Sequence, residues 1–295
     1  MNIIDNAPMS KYTSFRCGGH AKRLVICDNV SELEQLMNEI AESKEEYLFL
    51  GNGSNTLFLD GVYDGIVVTL GKGFDDVEII DDGDEVRLKC MAAALLSKIA
   101  KKALAESLAG FEFASGIPGS IGGAVFMNAG AYGGEMIDVL ESVELLSPNA
   151  DGKWELKTVP ADNLGLSYRH SRLQETKEIV VSATLRLLRG NKAEIEEKLA
   201  ELTKKRTSKQ PLEFPSAGSF FKRPEGYFAA KLIEDAGLKG LSVGGAQVSS
   251  KHCGFVINTG NATTGDIVDL MHLVQNTVFD KFGVKLEPEV RIIGL

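Results

Sequence analysis

A glycine-rich run from 110 to 134 constrains the fold of this chain more than any other feature. It reads GFEFASGIPGSIGGAVFMNAGAYGG, with eight glycines in 25 residues and no lysine, arginine or aspartate. Glycine lets the main chain approach a ligand closely and adopt positive φ, so neighbouring N–H groups can converge on an anion such as a phosphate. The run therefore predicts a binding site lined by backbone, and the alternative is a set of tight turns between strands.

A second glycine-rich segment spans residues 51–55 and reads GNGSN. It follows YLFL at 47–50, an apolar stretch that predicts a buried strand leading directly into the glycine loop. Neither segment contains G-x-x-x-x-G-K-[ST], and residues 51–56 lack the third glycine of a dinucleotide-binding fingerprint. The pattern argues against a P-loop and a Rossmann unit, and it predicts a diphosphate-bearing cofactor held in another fold.

Length and charge narrow the class of protein. The 295 residues suffice for about two domains. The net charge of −9 argues against a nucleic-acid surface. The cysteines Cys17, Cys27, Cys90 and Cys253 are far apart and form no C-x-x-C, which favours reduced structural thiols over a zinc site or disulfides. Because the N-terminus lacks a signal pattern and no apolar run spans a bilayer, a cytoplasmic protein without membrane contact is expected.

The hydrophobic spacing predicts an α+β fold rather than alternating βαβ units. Ser31 and Glu34 form a capping-box pattern at the first helix, Gly110 marks the end of the second, and Asp82-Gly83 predicts a hairpin turn. Helices are expected at 31–43, 92–108, 191–205, 228–236 and 265–281, and strands at 47–50, 65–70, 76–80, 85–90, 142–147, 154–159, 178–188, 253–258 and 284–293.

Seven short segments are spread over nearly the whole chain. They are YTSFRCGGHA (12–21), LGNGSNTLFLDG (50–61), the glycine-rich run (110–134), SYRHS (167–171), AGSFFKRP (217–224), AGLKGLSVGGAQVS (236–249) and LEPEVRIIG (286–294). Together they resemble the UDP-N-acetylenolpyruvoylglucosamine reductases, flavoenzymes that complete UDP-N-acetylmuramic acid in bacterial peptidoglycan synthesis. The resemblance implies a p-cresol methylhydroxylase-type FAD-binding fold of two subdomains, with a smaller α+β substrate-binding domain.

The resemblance also implies how the chain is divided and which residues bind non-covalent FAD. Residues 1–70 and 71–205 would form the two FAD-binding subdomains, 206–285 the substrate-binding domain, and 286–295 a C-terminal strand that returns to the active site. The implied FAD-binding residues are Gly51, Asn52, Gly53, Ser54, Asn55, Gly116, Pro118, Gly119, Ser120, Gly122, Gly123, Asn128, Ala129, Gly130, Ala131, Arg206 and Arg291.

Reduction of an enolpyruvyl ether places a hydride on the terminal carbon of the double bond and leaves negative charge that delocalises into the adjacent carboxylate. Preorganised cations stabilise such charge in a dry site, and the resemblance implies Arg169 for this role. It implies Glu289 as the acidic partner, with a pKa raised by that setting, and Ser219 as the proton donor. The final strand places Glu287 and Glu289 on one face, so the choice between them rests on the resemblance.

The expected substrates are UDP-N-acetylglucosamine enolpyruvate and NADPH, and no obligatory protein partner is indicated. The resemblance implies Tyr168, Lys209, Lys222 and Arg223 as substrate-binding residues. Arg223 stands where the family pattern has asparagine, and the stretch 171–219 is too short for the tyrosine-bearing loop found in part of the family. The chain therefore resembles the shorter subtype. His252 is a further candidate for a substrate contact, and the histidine spacing indicates no metal site.

Two other functions stay open at this point. One is a flavoprotein oxidase of the same fold that passes electrons from another polar substrate to oxygen. The other is a non-catalytic sensor of a UDP sugar or nucleotide that kept the cofactor site without redox chemistry. The presence of Arg169, Ser219 and Glu289 together argues against the sensor.

Overall fold

The computed structural model describes residues 1–81, 83 and 86–294. The α-helices are α1 (Val30–Ser43), α2 (Leu96–Ala105), α3 (Ile121–Phe126), α4 (Leu173–Thr176), α5 (Lys192–Lys209), α6 (Ala229–Asp235) and α7 (Thr264–Phe282). The strands are β1 (Asn2–Pro8), β2 (His20–Cys27), β3 (Tyr47–Phe49), β4 (Thr56–Phe58), β5 (Val62–Leu70), β6 (Val77–Asp81), β7 (Val86–Met91), β8 (Leu108–Ala109), β9 (Gly130–Ala131), β10 (Gly134–Glu135), β11 (Leu140–Pro148), β12 (Trp154–Pro160), β13 (Ile179–Arg189), β14 (Ser216–Ser219), β15 (Ser242–Val243), β16 (Ala246–Val248), β17 (Phe255–Asn258) and β18 (Arg291–Ile293).

The chain divides into two compact units, and each is assembled from separate stretches of sequence. Unit 1 contains Met1–Ile3, Leu24–Asn52 and Ile66–Lys205, and unit 2 contains Ile4–Arg23, Gly53–Gly65 and Arg206–Leu295. The expected assignment of FAD and substrate to the ranges 1–70, 71–205, 206–285 and 286–295 stays a prediction.

Unit 1 is built on an antiparallel sheet with the strand order β12-β11-β13-β7-β6, and β8 also pairs with β13. Side chains alternate across this sheet: in β7, Val86, Leu88 and Cys90 are buried, whereas the residues between them are partly exposed. Such alternation is typical of an antiparallel sheet with one face on the core. The buried face packs in one apolar cluster with residues of α2 and α3, including Leu96, which is fully buried.

A second apolar cluster of unit 1 forms around α1. The helix buries Leu33, Leu36, Met37 and Ile40, which recur at the spacing of one helical face. These residues cluster with strand residues that include Trp154, whose ring meets Tyr47 edge-to-face at 6.3 Å. In this part of unit 1, β3 pairs in parallel with β5. The strand before the first glycine loop is thereby held in place by α1 and β5.

Unit 2 contains a sheet in the order β14-β17-β16-β15 and a parallel pair of β18 with β4. Helix α7 begins at a capping box in which Thr263 and Asp266 exchange side-chain bonds with main-chain N–H groups, and it ends at Gly283 with φ +69°. Its buried face clusters with α6, Phe15 and Leu57. The core of unit 2 therefore combines residues from the beginning, the middle and the end of the chain.

Several predicted element boundaries are wrong, each for a local reason. Helix α1 begins after Asn29, whose side chain accepts the N–H of Glu32, so Ser31 is not the cap. Helix α2 begins at Leu96, because Ala92 donates its N–H to the Val181 carbonyl and extends the sheet. It ends at Ala105, well before Gly110, and Ser107 follows with φ +58°.

The expected strand at 284–293 is also shorter, since only Arg291–Ile293 form a strand. Pro288 lacks an N–H and lies in an isolated bridge opposite Phe221. Strands β6 and β7 pair antiparallel as a hairpin requires, although Asp82 of the predicted turn Asp82-Gly83 lies outside the described residues.

Candidate active site

The two glycine-rich segments meet within unit 1. Gly51 comes two residues after β3, and a methyl group placed on it would lie 3.4 Å from Ser120 Oγ and 3.9 Å from Gly123 Cα. Ser120 is the residue before α3, and its hydroxyl makes no capping bond to that helix. Two loops that lie far apart in the sequence therefore place main chain and a hydroxyl group side by side.

The glycines of the long run serve two different purposes. A methyl group on Gly122 would lie 3.0 Å from Ala92 Cβ, and one on Gly130 would lie 2.7 Å from the Gly134 carbonyl oxygen, so packing requires both glycines. Gly51 and Gly123, by contrast, have no neighbour closer than 3.4 Å to such a methyl group. Their missing side chains keep the space beside Ser120 open. Close packing thus explains some glycines of the run, and a cradle remains as the explanation for Gly51 and Gly123.

This cradle fits the diphosphate of FAD on chemical grounds. Gly51, Ser120 and Gly123 present main-chain groups and one hydroxyl, which are the donors that a phosphate accepts from, and side chains at either glycine would fill the same space. The Ile121 and Gly122 N–H groups donate to the Ala94 and Ala92 carbonyls at 2.9 Å each and fix the start of α3. Protein contacts therefore hold the start of α3 beside Ser120.

The remaining glycine of the first segment has a structural reason of its own in unit 2. Gly53 has φ +63°, and any side chain on it would overlap the Tyr12 carbonyl oxygen. Its own carbonyl accepts the Ser14 N–H at 3.1 Å. A non-glycine residue at this position would therefore meet both an unfavourable backbone conformation and a steric clash.

Asn55 connects the glycine segment of unit 2 to the last strand. Its Nδ2 donates to the Glu289 carbonyl at 3.0 Å, and its own carbonyl accepts the Arg291 N–H at 3.0 Å. Three residues that were predicted from separate parts of the sequence are thus adjacent in unit 2.

Ser219 and Glu289 also come together in unit 2. The segment that follows Ser219 runs antiparallel to the segment 287–289: the Glu289 N–H donates to the Phe220 carbonyl at 2.8 Å, and the Lys222 N–H donates to the Glu287 carbonyl at 2.9 Å. Ser219 ends β14 with its side chain exposed. The hydroxyl and the carboxylate therefore stand on neighbouring segments, as a shared site requires.

Arg169 lies at the tip of a tight turn in unit 1. The Ser167 N–H donates to the His170 carbonyl and the His170 N–H to the Ser167 carbonyl, at 3.1 Å each, so Tyr168 and Arg169 are the two residues between them. Arg169 has φ +54°, a left-handed conformation that costs a residue with a side chain about 1–2 kcal/mol. Its guanidinium donates to the Gly130 carbonyl at 3.1 Å and lies 5.0 Å from the centroid of the Tyr168 ring.

The other predicted substrate residues of unit 2 already contact protein groups. Lys222 lies 3.6 Å from the Glu287 carboxylate, and the Arg223 guanidinium lies 4.7 Å from the centroid of the exposed Phe228 ring. Lys209 is the last residue of α5 and is exposed. The Nε of Arg206, in the last turn of the same helix, is buried and has no hydrogen-bond partner among the described residues.

His252 has a defined orientation in unit 2. Its Nδ1 accepts the Gly254 N–H at 3.1 Å, and its ring meets Phe255 edge-to-face at 5.1 Å. Burial lowers the pKa of His252 below its ordinary value of 6.5. With Nδ1 as the acceptor, the neutral ring carries its proton on Nε2. Across the described ranges, no group of three or more His, Cys, Asp or Glu side chains is arranged to hold a metal ion.

The predicted site residues thus divide between the units. Unit 1 holds Gly51, Asn52, Gly116, Pro118, Gly119, Ser120, Gly122, Gly123, Asn128, Ala129, Gly130, Ala131, Tyr168 and Arg169, and unit 2 holds Gly53, Ser54, Asn55, Arg206, Lys209, Ser219, Lys222, Arg223, Glu289 and Arg291. Gln174, which donates to the Arg169 carbonyl at 3.1 Å, was missed by sequence reasoning. A glutamine in a short helix gives no pattern that would have indicated this contact.

Comparison with known proteins decides the family. An FAD binding domain model matches residues 21–155, and the model of the C-terminal domain of UDP-N-acetylenolpyruvoylglucosamine reductase matches residues 210–293. A UDP-N-acetylenolpyruvoylglucosamine reductase from Agathobacter rectalis is 50% identical over 303 residues, which cover 100% of this chain and 95% of the relative. The chain belongs to this reductase family. The predicted family and FAD as the cofactor are thereby confirmed.

Solved structures agree with membership in the reductase family. The UDP-N-acetylenolpyruvylglucosamine reductase from Thermus caldophilus matches with a TM-score of 0.83 at 34% identity, covering 99% of this chain and 98% of that one. A cholesterol oxidase from Brevibacterium sterolicum matches with a TM-score of 0.50 at 11% identity, covering 63% of this chain and 37% of that one, and this likeness concerns the fold alone. The predicted FAD-binding fold class is confirmed. Among the helices described, none is long and apolar enough to cross a membrane.

Proposed function

We propose that this chain reduces UDP-N-acetylglucosamine enolpyruvate to UDP-N-acetylmuramate with electrons from NADPH, and that Arg169, Ser219 and Glu289 carry the reaction. The observation that carries the proposal is the relationship to the reductases at 50% identity over the full chain. The chain is an FAD-dependent oxidoreductase of that family. Since NADPH is the reductant, we propose the cytoplasm as the place of the reaction.

FAD, when bound and reduced by NADPH, would supply a hydride to the terminal carbon of the enolpyruvyl double bond. Main-chain groups and the hydroxyl around Gly51, Ser120 and Gly123 would hold its diphosphate in unit 1. The protein's contribution at these positions is to bind and orient, because neither glycine has a side chain that could transfer a proton.

Arg169 would stabilise the negative charge that develops in the substrate carboxylate. Its guanidinium is held by the Gly130 carbonyl and by the Tyr168 ring, so it is oriented before substrate binds. A preorganised cation of this kind stabilises the transition state more than the ground state, because the charge is larger there. Removing one such group commonly lowers kcat by about 10²–10³.

Ser219 would donate the proton that completes the reduction, and Glu289 would assist it. The two residues lie on adjacent antiparallel segments, tied by the bond from the Glu289 N–H to the Phe220 carbonyl. Serine is a weak acid, so it needs a neighbouring charged or hydrogen-bonded group to lose and regain its proton. Lys209, Lys222 and Arg223 would bind the UDP diphosphate as cations.

An anaerobic experiment with the purified holoenzyme tests the proposal. NADPH should bleach the flavin absorbance, and subsequent UDP-N-acetylglucosamine enolpyruvate should restore it while forming one UDP-N-acetylmuramate per flavin. Bleaching that the enolpyruvyl substrate does not reverse would refute this substrate. Rapid recovery of colour in air with no effect of the UDP sugar would instead support an oxidase.

A further inference from the structure

We infer that Gln174 and Asn128 are positioning residues for Arg169, acting on the two sides of the turn that carries it. The inference rests on the proposed role of Arg169 toward the substrate carboxylate. Gln174 lies in α4 and its Nε2 donates to the Arg169 carbonyl at 3.1 Å and to the Phe126 carbonyl at 3.2 Å. One amide therefore ties the turn to the end of α3.

Asn128 holds the other side of the turn. Its side chain is fully buried, and Nδ2 donates to the Ser167 carbonyl at 3.0 Å and to the Glu135 carboxylate at 2.9 Å. Its Oδ1 accepts the Ile137 N–H at 3.0 Å. Both N–H groups of the amide are thus engaged, and the side chain offers no exposed atom to a ligand. The contribution of this side chain is to fix Ser167, two residues before Arg169.

The conformation of the turn explains why it needs the hydrogen bonds from Gln174 and Asn128. When the second central residue of a two-residue turn has a positive φ, that residue is usually glycine, because a side chain there is unfavourable. Arg169 occupies that position with φ +54°. Left to itself, the segment would relax to negative φ and carry the guanidinium away from its bond with the Gly130 carbonyl. A displacement of about 1 Å in a catalytic group can slow a reaction by about 10²-fold.

The test substitutes Gln174 in the FAD-loaded enzyme and measures the two half-reactions separately by stopped flow. Gln174→Met keeps the size of the side chain and removes the hydrogen bonds that Nε2 donates to the Arg169 and Phe126 carbonyls and, at 3.9 Å, to Met127 Sδ. We expect flavin reduction by NADPH to stay within about twofold of wild type, and reoxidation by the enolpyruvyl substrate to slow about 10- to 100-fold. Gln35→Met is the matched control, because it removes one exposed bond within α1, from Gln35 Nε2 to Glu39 at 2.8 Å.

A double-mutant cycle with Arg169→Ala then decides whether Gln174 acts through Arg169. If it does, adding Gln174→Met to Arg169→Ala slows reoxidation by less than about twofold. Full additivity, or an equal loss in both half-reactions of Gln174→Met, would overturn the inference. If Arg169→Ala itself leaves reoxidation unchanged, the proposed role of Arg169 fails instead, together with the inference. Gln174→Glu, which keeps the shape and replaces the donor, serves if Gln174→Met does not fold.

Discussion

The substitution Gly123→Ala is expected to weaken FAD binding without lowering the stability of unit 1. A methyl group on Gly123 meets only the Ser120 hydroxyl, at 3.7 Å, which is an ordinary contact. Gly123 lies inside α3 and its φ is not positive, so alanine should favour the helix by about 0.5–1 kcal/mol relative to glycine. For a chain of this size, that gain raises Tm by about 1–4 °C. The FAD-free variant is therefore expected to unfold at the same temperature as wild type or slightly above it.

The same methyl group should weaken FAD binding. It would occupy the space beside Gly51 and Ser120 through which main-chain groups reach the diphosphate. Loss of one hydrogen bond to a charged group costs about 1.5–3 kcal/mol, which corresponds to a rise in Kd of about 10- to 100-fold. Titration of FAD-free protein with FAD, followed by quenching of flavin fluorescence, measures this Kd directly.

Gly122→Ala is the matched control one residue earlier in the same helix. Its methyl group would lie 3.0 Å from Ala92 Cβ and 3.1 Å from the Ala92 carbonyl oxygen, so Gly122→Ala should lower Tm, with a cost of about 1–3 kcal/mol from overpacking. The reasoning is refuted if Gly123→Ala binds FAD as tightly as wild type, or if Gly123→Ala is the less stable of the two variants.

Three further predictions concern the proton donor, the thiols and His252. Ser219→Ala should leave flavin reduction by NADPH nearly intact and slow the substrate half-reaction at least about 10²-fold in stopped flow, and equal losses in both would contradict a proton-donor role. Burial raises the pKa of Cys17 to about 12, of Cys27 to about 11 and of Cys90 to about 12, so a disulfide reagent at pH 8 should label these thiols only after unfolding, as mass spectrometry can show. Because burial lowers the pKa of His252, the unfolded chain binds more protons than the folded one below about pH 6.5, and stability falls on acidification through that range. In urea unfolding, the free energy of unfolding of His252→Gln should fall less on acidification than that of wild type. An identical pH dependence in the two proteins would contradict a lowered pKa of His252 in the folded state.

Local patterns in the sequence predicted those parts of the fold that depend on local interactions. The apolar spacing of Leu33, Leu36, Met37 and Ile40 located α1, and all four are buried. The predicted boundaries are wrong where a residue far away in the sequence forms a hydrogen bond that replaces the helical one. Ala92 was expected in a helix, but its N–H donates to the Val181 carbonyl. Helix propensity is weak compared with such tertiary contacts, so a single sequence does not reveal which residues the sheet will take.

The site was predictable to a similar degree. The glycine segments indicated a backbone-lined cradle, and the structure brings Gly51 next to Ser120 and Gly123 within unit 1. The resemblance selected Ser219 and Glu289, which unit 2 holds on adjacent segments. The roles of individual residues in catalysis stay predictions. The hydrogen bonds that hold the turn around Arg169 could not be predicted from the sequence. Gln174 and Asn128 donate to main-chain carbonyls, which any residue could supply.

The parallel pairing of β18 with β4 has a consequence for how the protein is made. Arg291 lies opposite Thr56, and Ile293 opposite Phe58, so β4 cannot gain this neighbour until residues 291–293 have been synthesised. Asn55 likewise meets Glu289 only then. Contacts between such distant residues close slowly during folding. A chain shortened to residue 288 would lack Glu289, Arg291 and the whole of β18, so it should lose activity although it keeps most of the sequence of unit 2.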